Sequence, residues 1–100
     1  EEEANYDPAN KAAAFARGKG VDFLITDHHE LPPTLPDALA LVTPKLLTAS
    51  GVRSVHPLET LPGVGVAYKL AEELYTRFGR AGEVVKHADL AALGIVADLA

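Results

Sequence analysis

Three features predict an α/β fold built on a parallel sheet. Residues 21–26 form a compact, mostly apolar run with β-branched members, residues 38–43 form a second short run, and helix-forming segments lie on either side of the pair. Such a sheet collects ligands at the carboxyl ends of its strands, so the residues that follow each strand are the first place to look for a site.

The elements follow in order. Asp7-Pro8 reads as an N-cap with proline at the first helical position, and the alanine-rich residues 9–17 supply strong helix formers until Gly18 and Gly20 stop them. Residues 21–26 are expected to form a strand buried on both faces. Three prolines, Pro32, Pro33 and Pro36, then rule out helix and ladder alike, which makes an extended connector before the second strand. Residues 44–62 lose all periodicity and read as a surface loop with room for a turn of helix. Gly63-Val64-Gly65 opens an amphipathic helix in which Val66, Leu70, Leu74 and Phe78 share one face, with Gly79 as its C-cap. A polar stretch over residues 83–89 leads into an apolar run to Ala100, expected to be a buried helix.

Composition bounds the function. One hundred residues make one domain at most, and 48% apolar against 23% charged excludes disorder and collagen-like repeats. Many of the apolar residues are alanine, so the core is thin. The absence of methionine, even at position 1, together with an end inside an apolar run, reads as a piece of a longer protein. No cysteine means no disulfide framework, no thiolate metal site and no cysteine nucleophile. Nine basic against fourteen acidic residues give a net charge of −5, so bulk attraction for nucleic acid is lacking and a polyphosphate would need metal ions or basic surface elsewhere. No apolar run approaches the ~20 residues of a membrane helix and no signal peptide stands at the start, so a cytoplasmic setting is expected.

The chemistry concentrates in a few residues. Asp27-His28-His29 places two imidazoles and a carboxylate where a buried strand runs out. Adjacent side chains of an extended chain point apart, so His28 is expected to ligate a metal while His29 faces a substrate phosphoryl group or transfers a proton. Asp27 would orient an imidazole. The competing reading makes the histidines solvated loop residues. Asp98 is the only polar side chain between Leu90 and Ala100, and an ionised carboxylate on a buried helix requires a partner, for which a metal ion suffices. Its alternative is a helix end emerging into water. Gly94, one turn earlier, leaves that flank open to a ligand or to backbone. Gly63 and Gly65 either aim backbone N–H groups at an anion or permit tight packing. His56, His87, Asp22 and Asp89 look structural or solvated.

Three stretches resemble one family in order. Ile25-Thr26-Asp27-His28-His29-Glu30-Leu31-Pro32, Leu61-Pro62-Gly63-Val64-Gly65-Val66-Ala67-Tyr68-Lys69-Leu70 and the run from Ala88 through Leu93-Gly94-Ile95-Val96-Ala97-Asp98 to Leu99 resemble the RecJ-type exonucleases of the DHH phosphoesterase superfamily. The resemblance implies that the chain is the C-terminal portion of a layered, parallel-sheet DHH catalytic domain whose N-terminal strands and motifs precede it. It implies a two-metal site with Mn²⁺ or Mg²⁺ in which His28 and Asp98 are ligands, His29 meets the phosphate and Asp27 supports the site. It also implies 5′→3′ hydrolysis of single-stranded DNA in repair and recombination, with a single-strand-binding protein or a helicase as companions. Lys45, Arg53 and Lys69 are candidate phosphate contacts beside Gly63 and Gly65. A further family aspartate would align with Ala4. That departure favours a non-catalytic replication scaffold as one alternative; another is a phosphoesterase on oligonucleotides, cyclic dinucleotides or pyrophosphate.

Overall fold

A computed structural model describes residues 2–49 and 56–98. Helix α1 spans Glu2–Gly18, strands β1 and β2 span Leu24–Thr26 and Ala40–Val42, a single turn α2 spans Leu46–Ala49 and α3 spans Gly63–Arg77; a 3₁₀ helix over Ala81–His87 then runs into α4, Ala88–Ala97. The strands pair in parallel with Leu24 opposite Ala40 and Thr26 opposite Val42. Both carboxyl ends therefore lie side by side, the arrangement the sequence predicts, in a small α/β fold.

Several expectations are corrected. α1 runs through Pro8, so Asp7 is inside the helix rather than capping it. An interior proline removes one backbone donor and crowds the carbonyl one turn back, so the helix runs through Pro8 against the local signal. The strands are three residues each, shorter than the apolar runs, and β1 is not buried on both faces: Leu24 is exposed and Ile25 half-buried. The helix that packs on β1 is α3. α4 is apolar, yet none of its residues is buried, and Leu90, Leu93 and Val96 are exposed. It rests on α3 and the 3₁₀ helix, and no helix can cover its whole circumference from one side.

The helix ends obey the glycine signals. Gly20 and Gly79 adopt φ of 69° and 73°, a region that costs other residues a steric clash. Past α1, the Gly20 N–H donates to Arg17 O and the Val21 N–H to Ala16 O; past α3, the Gly79 N–H donates to Thr76 O and the Arg80 N–H to Tyr75 O. Both are Schellman closures. Arg17 also clasps Asp37 through two contacts of 2.8 and 2.5 Å, fastening α1 to the proline connector.

α3 organises the rest. β1, the 3₁₀ helix and α4 all pack against it, and among the described residues the buried apolar ones are few: Val66 of α3, Val84 of the 3₁₀ helix, and Ala13 and Ala16 of α1. Burying each valine contributes about 1.5–3 kcal/mol. Tyr75 of α3 hydrogen-bonds His87 Nε2 at 3.1 Å and lies beneath Arg80 and Lys86. His87 is structural, as expected.

At Gly94, a Cβ would stand 2.6 Å from Val64 Cγ1, so α4 can approach α3 only because position 94 has no side chain. Gly94→Ala is expected to destabilise the full-length protein by about 1–3 kcal/mol. Val64→Ala in the same chain should recover only part of the loss in a double-mutant cycle read by thermal unfolding, because the Cβ that alanine keeps would still stand 2.8 Å from the new methyl.

The Glu83 carboxyl is lowered from the ordinary 4.5 to about 2, first by its hydrogen bonds from Arg80 at 2.5 and 2.8 Å. A depressed carboxyl stabilises fully above the ordinary value and loses that contribution as pH falls toward 2. The Glu83 side-chain resonance should titrate near 2, and Arg80→Met should return its midpoint toward 4.5.

Candidate metal and phosphate site

The site grows from the end of β1. The ladder continues one residue beyond the strand, with the Asp27 N–H donating to Val42 O at 3.0 Å, and the chain then bends at His29. Asp27 Oδ1 receives the His28 N–H at 2.8 Å, lies 3.4 Å from the His29 nitrogen and 2.6 Å from His29 Nδ1. An ionised carboxylate only accepts, so Nδ1 carries the proton and Nε2 keeps its lone pair for a metal or a phosphoryl oxygen. Asp27 does orient an imidazole, and it is that of His29.

The two histidines do not point apart. Their ring centroids are 4.5 Å from one another with the planes tilted by 40°. The expectation of opposed side chains assumed extended backbone, whereas the Asp27 carboxylate gathers the following N–H groups and turns the chain. One ligand atom from each of Asp27, His28 and His29 lies within 4.8 Å of the others. Nitrogen and carboxylate donors at that spacing fit a divalent ion, though three are fewer than the roughly six that Mn²⁺ or Mg²⁺ takes. Residues besides these three would be needed.

Asp98 is not part of that cluster. It is the exposed C-cap residue of α4, its N–H bonded to Gly94 O at 3.0 Å. The premise of a carboxylate on a buried helix is therefore corrected. The flank that Gly94 opens is filled by Val64 rather than free for a ligand. Even so, α3 links the two motifs. A Cβ on Gly63 would stand 3.4 Å from His28 Cδ2, while Val64 packs on Gly94 one turn before Asp98.

Gly65 serves packing. The Gly65 N–H donates to Pro62 O at 2.9 Å, which occupies the donor that an anion cradle would use. A Cβ at Gly65 would collide with Leu61 at 2.5 Å. Lys69 pairs with Glu72 along α3 at 3.3 Å, and Lys45 with Glu30 at 3.1 Å. Arg53 lies outside the described residues. His56 Nδ1 accepts the Leu58 N–H at 3.1 Å in a turn, and Asp22 and Asp89 are exposed, as expected. The Glu30–Lys45 pair has no signal in local spacing: it joins the ends of two parallel strands, so only their register reveals it.

The model of the DHH family, N-terminal domain, matches residues 4–95, nearly the whole chain. The chain belongs to the DHH family. That match places Asp27-His28-His29 inside the DHH domain and stops short of Asp98. The single-stranded-DNA-specific exonuclease RecJ of Bacillus subtilis (strain 168) is 44% identical over 88 residues, covering 87% of this chain and 10% of that protein. The RecJ proteins of Haemophilus influenzae and Escherichia coli K12 are 37% and 35% identical over 94 residues, and the DHH segment covers 16% and 15% of them. It thus spans between about a tenth and a sixth of the length of these relatives. No solved structure matches it significantly.

The two glycines of the DHH segment's Gly63-Val64-Gly65 should separate in mutagenesis. Gly63→Ala meets His28 at ordinary contact distance and is expected to keep the histidine ring signals in NMR spectra. Gly65→Ala must displace Leu61 and should lower the melting temperature of the full-length protein by several degrees, about the effect of 1–3 kcal/mol of overpacking.

Proposed function

We propose that the full-length protein is a metal-dependent exonuclease that hydrolyses single-stranded DNA from the 5′ end, and that this segment supplies part of its active site. The observation that carries the reading is the Asp27-His28-His29 turn, which brings three donor atoms within 4.8 Å at the end of a parallel strand. The RecJ names of its relatives supply the substrate class.

His28 and Asp98 would hold Mn²⁺ or Mg²⁺ with ligands from outside this chain; the packing of Gly63 on His28 and of Val64 on Gly94 supports their convergence around the first turn of α3. When bound, such ions lower the pKa of water and offset charge on phosphoryl oxygens. His29, its Nδ1 held by Asp27, offers Nε2 to a phosphoryl oxygen. In the hydrolysis, a water oxygen bonds to phosphorus, the P–O ester bond breaks and the leaving oxygen takes up a proton. The net charge of −5 fits a site in which metal ions handle the phosphates, with the DNA-guiding basic surface and any single-strand-binding or helicase contacts elsewhere in the protein. Among the described residues, no helix is long and apolar enough to cross a membrane.

The full-length protein should degrade 5′-labelled single-stranded DNA with Mn²⁺ and leave duplex DNA intact. His28→Ala and Asp98→Ala should each reduce the rate at least about a hundredfold, as loss of a metal ligand does where metal chemistry carries the barrier. Undiminished activity in both variants would remove the ligand assignment. Hydrolysis confined to short oligonucleotides, cyclic dinucleotides or pyrophosphate would replace the exonuclease reading with the other phosphoesterase chemistry.

A further inference from the structure

The turn that carries the histidines is held at one end by β2 and at the other by the segment just after it. At one end the Asp27 N–H bonds to Val42 O at 3.0 Å. At the other, one residue past His29, the Glu30 carboxylate meets Lys45 Nζ at 3.1 Å. The two partners, Val42 and Lys45, are the last residue of β2 and the third residue beyond it.

The bridge is asymmetric. Glu30 has 60% of its side chain exposed, whereas Lys45 has 15%. Lys45 is also placed by its backbone: its N–H donates to Thr43 Oγ1 at 3.3 Å, and Thr43 and Pro44 are buried. A covered lysine on a fixed backbone has few rotamers to lose, so its ammonium is the anchor and Glu30 the arm that reaches back from the turn.

We infer that Glu30 and Lys45 are positioning residues, a clamp that holds the Asp27-His28-His29 turn in its ligating shape. The inference rests on the metal-site reading above for its consequence, but the clamp itself is a property of the metal-free protein. With the bridge broken, the turn loses its fastening on the far side of His29, and its imidazoles are held less firmly in their relation to one another. Residues that orient metal ligands typically cost 10–100-fold in affinity when removed, and a clamp acting at one remove belongs at about the lower figure.

The test uses the full-length protein in three variants, Glu30→Gln, Lys45→Met and Lys45→Arg, with matched melting temperatures as the control for folding. Mn²⁺ affinity is measured by calorimetry without DNA, and the His29 Nδ1–H signal by NMR of ¹⁵N-histidine-labelled, metal-free protein. Glu30→Gln and Lys45→Met should each weaken Mn²⁺ binding about tenfold and shift or broaden the His29 signal. Lys45→Arg, which keeps the charge, should stay within about threefold of the parent on the same scale. Unchanged affinity and an unchanged His29 signal in both disrupting variants would overturn the clamp. So would a Lys45→Met variant that raised only the KM for DNA, since Lys45 would then be a direct phosphate contact. If the unsubstituted protein bound no Mn²⁺ while the His29 signal still responded to Glu30→Gln, the clamp would stand and the metal reading would fall.

Discussion

Close packing around the first turn of α3 is the constraint on which the rest of the structure depends. Gly63, Val64 and Gly65 each meet a different part of the chain: the His28 ring, the bare backbone face at Gly94, and the Leu61 side chain. Interiors packed at crystal-like density transmit such contacts as fixed distances. The consequence is that the end of β1 and the end of α4, separated by most of the sequence, are referred to one rigid element. Two glycines, at 65 and 94, make these approaches feasible, because a single methyl at either position would overlap a neighbour.

The second organising interaction is electrostatic. The Asp27 carboxylate collects two backbone N–H groups and one imidazole, which both bends the chain and fixes a tautomer. A carboxylate that accepts several hydrogen bonds holds its geometry. The same group therefore folds the turn and prepares its chemistry. The neighbouring ion pairs divide by setting. Arg17–Asp37 and Glu30–Lys45 join segments distant in sequence, while Lys69–Glu72 and Arg77–Glu73 decorate the surface of one helix, where pairs contribute only about 0.3–0.5 kcal/mol.

Much of the fold was legible in the residues because the signals were local. The glycines at 20 and 79 end helices through backbone freedom alone, and the proline run between the strands forbids regular structure whatever surrounds it. Asp27-His28-His29 at a strand end was legible for the same reason, as was the resemblance to the DHH phosphoesterases that the family match bears out. Burial was not legible. The apolar run of α4 and the β-branched run of β1 look like core in any sequence, yet among the described residues Leu24, Leu90, Leu93 and Val96 are exposed, since burial depends on which elements cover a face. The burial expected of Asp98 fails with that of its helix, since Asp98 is exposed.

By itself, then, the sequence determined the order of helices and strands, the helix stops, the metal-ligand residue types and their position at a strand terminus, all of which follow from backbone sterics and side-chain chemistry within a few residues. Only the tertiary structure decided that Gly94 is a packing position against Val64 and that Glu30 reaches Lys45. Those outcomes depend on the parallel register of two strands and on how closely α3 and α4 approach, and neither distance is encoded in any single stretch of chain.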